Sequence, residues 1–95
     1  MIEGLLPIGS VVLLKDSTKR LMIMGVAQRS ADEPEKLWDY AGCFYPEGYF
    51  GADKVFLFNN DQIVQIFALG YQDAEQIEFK KMADQKLSEL RNKEA

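Results

Sequence analysis

The chain has 95 residues, 47% of them hydrophobic and 27% charged, with 15 acidic against 11 basic side chains and a net charge of -4. A chain of this length makes one domain, residues 1–95, with a limited core and much exposed surface. The acidic balance argues against nucleic acid as a partner, because phosphate binding depends on clustered Lys and Arg. The basic residues near the C-terminus instead alternate with acidic ones, as on a solvated helix face.

The inventory of reactive side chains is poor. Histidine is absent and Cys43 is the only cysteine, which excludes an intramolecular disulfide and the common zinc and redox-metal sites. We therefore expect no cofactor, no metal and no enzymatic activity. Cys43 lies in an apolar run, where a small buried hydrophobic residue is expected, because a nucleophile needs a base or a positive neighbour. A lone cysteine, no visible signal peptide and no membrane-length apolar run predict a cytoplasmic protein.

Residues 5–71 show the pattern of strands and turns. Residues 11–14 are apolar and half β-branched, which predicts a first strand. A short polar turn leads to a second apolar run at 21–27, so the two favour a β-hairpin. Residues 28–36 are polar and predict an exposed loop. Aromatic and apolar side chains then predict strands at 37–45 and 55–58.

The next two segments are a turn and an ambiguous apolar run. Residues 59–62 predict a turn that can start a single helical turn by capping. In residues 63–71, Ile63, Ile66 and Phe67 would share one helical face. The β-branched content and the closing Gly70-Tyr71 favour a strand instead. We interpret this run as a strand, with a helix as the alternative.

Residues 74–92 predict one amphipathic helix. Asp73 is a good N-cap, and Gln76 completes a pattern like a capping box. The apolar stripe is thin and contains Phe79, Met82, Ala83, Leu87 and Leu90, with the Lys86 stem beside it. We expect this stripe to pack across the sheet with Phe79 in the core. Strands followed by one helix predict an α+β fold. We expect a small antiparallel, strongly bent sheet of about five strands, which could close toward an SH3-like barrel.

Residues 38–58 hold eight aromatic side chains, many of which we expect in the core. The turn Pro46-Glu47-Gly48 places Tyr45, Tyr49 and Phe50 near a loop tip. Aromatic residues in such a place are favoured at protein interfaces; the alternative is that the loop folds back and buries Phe50 as a core plug. The candidate partner-binding residues are Tyr45, Glu47, Tyr49 and Phe50 in the loop, and Met82, Leu87 and Leu90 on the helix.

Several stretches together are similar to one small bacterial family. They are residues 6–14, the turn Lys19-Arg20 with the strand after it, residues 38–49, Phe58-Asn59 and Gly70-Tyr71. The most specific of them is Tyr45-Pro46-Glu47-Gly48. From about Leu5 to Phe79 the chain resembles the domain of unknown function family 4176, and the rest of the helix lies outside the resemblance.

Such proteins resemble accessory members of type VII secretion gene clusters in Gram-positive bacteria, encoded near LXG toxins. The resemblance implies a cytosolic chaperone or targeting adaptor whose partner is a secreted toxin or its helical accessory proteins. It implies no catalytic residues. An immunity protein that neutralises a toxin is the alternative, and the acidic net charge is compatible with it. Neither nucleic acid nor a membrane is an expected partner, whereas a homo-oligomer is compatible with the sequence.

Overall fold

The computed structural model describes residues 4–94 and contains one antiparallel sheet followed by a helix. The elements are β1 (Val11–Leu14), β2 (Leu21–Arg29), β3 (Leu37–Phe44), β4 (Phe56–Phe58), β5 (Ile63–Ala68) and α1 (Ala74–Glu94). The strand order is β4-β3-β2-β1-β5. The predicted α+β class, the five strands and the C-terminal helix are confirmed. Residues 1–3 and 95 of the predicted domain lie outside the described residues.

The sheet is open at both edges. No pairing joins β4 to β5 within residues 4–94, so the sheet does not close into an SH3-like barrel. In β5, two residues are extra relative to β1. Val11 and Val12 lie opposite Ala68 and Ile66, which leaves Phe67 as a bulge residue. Val64 is extra in the same way, and such bulges bend an edge strand and interrupt its ladder.

The predicted hairpin is confirmed, since β1 and β2 pair antiparallel with Val12 opposite Leu21. Strand β2 runs further than the sequence predicts, through residues 28 and 29 of the predicted loop. Gln28 pairs with Trp38 and Arg29 pairs with Leu37 across the β2–β3 ladder. Pairing along a long strand therefore outweighs the polar composition at this point.

The ambiguous run is a strand, β5, which confirms that interpretation over the helical alternative. The chain leaves the strand through Gly70, whose amide donates to Ser10 Oγ at 3.1 Å. A Cβ at Gly70 would lie 1.9 Å from the carbonyl oxygen of Ile8. Only glycine allows the two backbone segments to approach this closely.

The core lies between the sheet and α1. Its members are Leu5, Val12, Leu21, Ile23, Leu37, Tyr40, Phe58, Ala83 and Leu87, of which only the last two come from the helix. Phe79 is not among them. It is 46% exposed, so the expectation of a core position for Phe79 was wrong. Gln76, Lys80 and Asp84 are all partly buried. The buried stripe of the helix is thus rotated toward these polar residues, of which Asp84 accepts a hydrogen bond from the Leu5 amide.

Candidate functional site

The aromatic loop, residues 45–50, leaves the end of β3. Its turn is closed by the Gly48 amide, which donates to the Phe44 carbonyl at 2.7 Å, and Gly48 has a φ of +83° that suits glycine. Tyr49 and Phe50 are 58% and 54% exposed. The Phe50 ring centroid lies 6.4 Å from that of Phe44 at the sheet surface. Phe50 is therefore not a core plug, and the exposed loop is the alternative that the structure supports.

Two basic side chains from the β1–β2 turn hold this loop. Lys19 Nζ lies 2.7 Å from Glu47 Oε1, and the Arg20 guanidinium lies 5.1 Å from the Tyr45 ring centroid. The hydrogen bond from Lys19 lowers the pKa of Glu47. These contacts are exposed and contribute little to folding stability. They order the loop, and Tyr49 and Phe50 remain its most exposed aromatic side chains.

The three helical candidates lie in different environments. Met82 is 60% exposed and accessible to a partner. Leu90 is half-buried and packs against the core. Leu87 is buried in the core, so its assignment to a partner-binding face is wrong while the helix is docked. The rotation of α1 that exposes Phe79 also turns Leu87 inward.

A polar groove of about 930 Å³ lies between α1 and the ends of the strands. On one side of it is the buried carboxylate of Asp39, whose Oδ1 lies 2.9 Å from Arg91 Nη1. The backbone amide of Asn60 donates to Asp39 Oδ2 at 2.8 Å. Arg91 also donates to the carbonyl of Leu37 at 3.2 Å. This ion pair therefore joins the last turns of α1 to the start of β3.

A second set of hydrogen bonds ties the N-terminal segment to the same groove. The Tyr40 hydroxyl accepts from the Leu6 amide at 2.8 Å and donates to Asn60 Oδ1. Asp84 Oδ1 accepts from the Leu5 amide at 2.8 Å. Burial raises the pKa of Tyr40 to about 12, so its hydroxyl stays protonated, and able to donate, further into the alkaline range than an ordinary tyrosine. These bonds join the N-terminal segment to β3 through Tyr40 and to α1 through Asp84.

Sequence reasoning did not find this network. The only local sign of it in the sequence is a charged residue, Asp39, within an aromatic strand. Its partner, Arg91, lies far along the chain.

Within residues 4–94 no group of three or more His, Cys, Asp or Glu side chains lies close enough together to hold a metal ion. In the same range, α1 lacks the long apolar stretch of a membrane-spanning helix.

The Asp39–Arg91 pair predicts a measurable loss of stability on substitution. Arg91→Met is expected to lower the free energy of unfolding by about 1–2 kcal/mol, because it leaves a buried carboxylate without its counter-ion while the half-exposed Arg91 site admits some water. Urea denaturation at neutral pH measures this loss. Lys86→Met, on the exposed side of the same helix, is the control and is expected to change little. Equal stabilities for the two variants would contradict the docking role of Arg91.

A comparison with protein-family models identifies the family of this chain. The model of a domain of unknown function, DUF4176, matches residues 5–79, which is most of the chain. The chain belongs to the DUF4176 family. No curated protein and no solved structure matches it. The DUF4176 match covers the whole sheet and the aromatic loop and ends at Phe79, so Leu87 and Arg91 lie beyond it.

Proposed function

We propose that this DUF4176 protein is a non-enzymatic, cytosolic protein-binding accessory, a chaperone or targeting adaptor for a type VII-secreted LXG toxin. The observation that carries the proposal is the aromatic loop, which holds Tyr49 and Phe50 in solvent at the end of an ordered strand. Clustered exposed aromatic side chains are typical of protein interaction sites. The choice of a secreted toxin as partner rests on the resemblance of such proteins to accessories in LXG toxin gene clusters.

The loop has the physical properties of a binding site prepared in advance. Tyr and Phe supply a large contact area with few rotatable bonds, so fixing them costs little entropy. The Lys19–Glu47 ion pair and the Arg20–Tyr45 contact already restrict the loop. Less conformational freedom is then lost when a partner binds, which favours affinity.

Substitution of the loop tip tests the site. Tyr49→Ala combined with Phe50→Ala is expected to weaken binding of an LXG toxin from the same gene cluster by about tenfold or more, since truncated aromatic anchors often cost roughly 2 kcal/mol. Isothermal titration calorimetry with purified toxin measures the change. Folding should survive, because both side chains lie outside the core.

Met82→Ala is the matched control, as it truncates an exposed apolar side chain on the helix. Full binding by the loop variant, with loss only in Met82→Ala, would move the site to the helix. Loss of binding in neither variant would contradict both candidate surfaces.

An immunity protein is the alternative function. Its supporting observation is a group of exposed acidic residues, Asp32, Glu33 and Glu35, in the β2–β3 loop. Their negative charge is complementary to a toxin whose active site is basic. Co-expression with the toxin in a sensitive host separates the two functions. Neutralisation of toxicity by this protein alone supports immunity, whereas improved toxin stability or secretion without neutralisation supports the chaperone.

A further inference from the structure

The outer edge of the sheet at β5 carries an apolar surface that the proposed function does not use. Strand β5 pairs with β1 on one side, and no strand pairs with its other side within residues 4–94. Residues 63–71 contain no charged side chain. Val64, Ile66, Phe67, Leu69 and Tyr71 are all exposed, with Tyr71 at 80%. Monomeric proteins often protect such an edge with charged residues, which residues 63–71 lack, so that the bulges of β5 are its only protection of this kind among the described residues.

The surface continues beyond the strand. The close approach of Gly70 to Ile8 brings the N-terminal segment beside the end of β5. Ile8, Tyr71 and Phe79 line one cleft of about 70 Å³, which reaches the first turns of α1. All three are exposed. We call the whole set the β5 surface, which consists of Ile8, Val64, Ile66, Phe67, Leu69, Tyr71 and Phe79.

We propose that the β5 surface is an interface between two copies of this chain, related by a twofold axis, with their β5 strands antiparallel and side by side. Area is the first argument. A large apolar side chain at about half exposure offers roughly 100 Å², so the β5 surface presents about 700 Å² per copy. One partner of a standard stable interface contributes roughly 800 Å².

Charge is the second argument for a second copy. Each chain carries a net charge of -4, so two copies repel each other at long range. The uncharged run 63–71 is a place where two copies meet without that repulsion. A twofold interface must also be self-complementary. Two antiparallel β5 strands meet this condition, because each presents the same uncharged residues 63–71 to the other.

The bulges at Val64 and Phe67 argue against a strand from a different protein. Strand addition derives its affinity from a continuous backbone ladder. Two extra residues interrupt that ladder, and bulges are a common protection of edges against such pairing. Association here therefore depends on apolar side chains, and an identical strand supplies a matching set.

Analytical ultracentrifugation of the full chain, without toxin, tests the proposal. Up to about 100 µM, the wild-type mass should approach twice 10.8 kDa as concentration rises. Phe67→Glu should raise the dissociation constant at least about tenfold, because it places two carboxylates in an apolar contact. Tyr49→Glu, at the other edge of the sheet, is the control and should associate like the wild type.

Circular dichroism first checks that the variants fold, and Tyr71→Glu replaces Phe67→Glu if that variant unfolds. A wild-type chain that stays at 10.8 kDa overturns the proposal, as does a charged β5 variant that still dimerises. Assemblies that grow beyond a dimer overturn the twofold arrangement. Since toxin is absent, the result is independent of the proposed function.

Thiol crosslinking provides the positional test. The native Cys43 is buried, so Ile66→Cys introduces a single accessible thiol, and the wild-type chain with the same reagent is the blank. A short bis-maleimide reagent should join two Ile66→Cys chains efficiently and two Tyr49→Cys chains poorly. The reverse order of yields would place the interface at the aromatic loop and contradict the proposal.

Discussion

Phe58→Ala is expected to lower the free energy of unfolding by about 3–5 kcal/mol, which is typical for the loss of a fully buried phenylalanine. Phe58 is entirely buried, and its ring centroid lies 5.3 Å from that of Tyr40. Gly42 lies directly beneath it, since a Cβ there would be 2.9 Å from Phe58 Cε1. Glycine has no side chain that can move into the space, so truncation leaves a cavity.

Phe79→Ala is the matched control for this experiment, because it removes the same atoms from a half-exposed site. It should cost less than about 1.5 kcal/mol, in proportion to the smaller apolar area that it uncovers. Denaturation of both variants in urea gives the comparison. If Phe79→Ala were as costly as Phe58→Ala, the rotated position of α1 would be contradicted.

The second expected result is a fall in stability in alkaline solution, caused by Tyr40. Its pKa rises from an ordinary value of 10 to about 12 in the folded protein, mainly through burial. Between these values the unfolded chain has released the proton and the folded chain still holds it. The unfolded state thus binds fewer protons, and the free energy of unfolding decreases as pH rises. The full loss attributable to Tyr40 is about 3 kcal/mol.

Tyr40→Phe isolates this contribution from the other titrating groups. The variant is expected to be less stable at neutral pH by about 1–3 kcal/mol, because the Leu6 amide loses its acceptor. Its stability should then fall less steeply than that of the wild type between about pH 10 and 12. Urea denaturation across this range measures both slopes, and parallel curves would contradict the role assigned to Tyr40.

The features that the sequence predicted well depend on neighbouring residues. The start of α1 follows from Asp73, whose Oδ1 accepts from the Gln76 amide at 2.9 Å. The exposed turn at 46–48 follows from Pro, Glu and Gly in succession. The single helical turn at 60–62 follows from Asn59, whose amide donates to Gln62 Oε1 at 2.8 Å. In each case the stabilising contact spans only a few residues, so the local pattern contains it.

The features that the sequence did not predict depend on partners far along the chain. The spacing of apolar residues in α1 predicts an apolar stripe that includes Phe79. In the structure, Asp84 accepts from the Leu5 amide, and this orientation of the helix leaves Phe79 outside the core. The Asp39–Arg91 pair has no local signature. Whether an apolar strand such as β5 is covered on both faces depends on its place in the strand order, and an edge position leaves it exposed. These outcomes are set by packing, which a periodic pattern does not encode.

The strand order β4-β3-β2-β1-β5 separates the two apolar surfaces, because the aromatic loop joins β3 to β4 and β5 is the opposite edge. Self-association through β5 would therefore leave both loops free, and the assembly would be bivalent. A ligand with two copies of its binding segment would meet the second loop at a high effective concentration. Its apparent affinity would then exceed that of one loop by roughly 100-fold or more, if the ligand spans the distance between the loops.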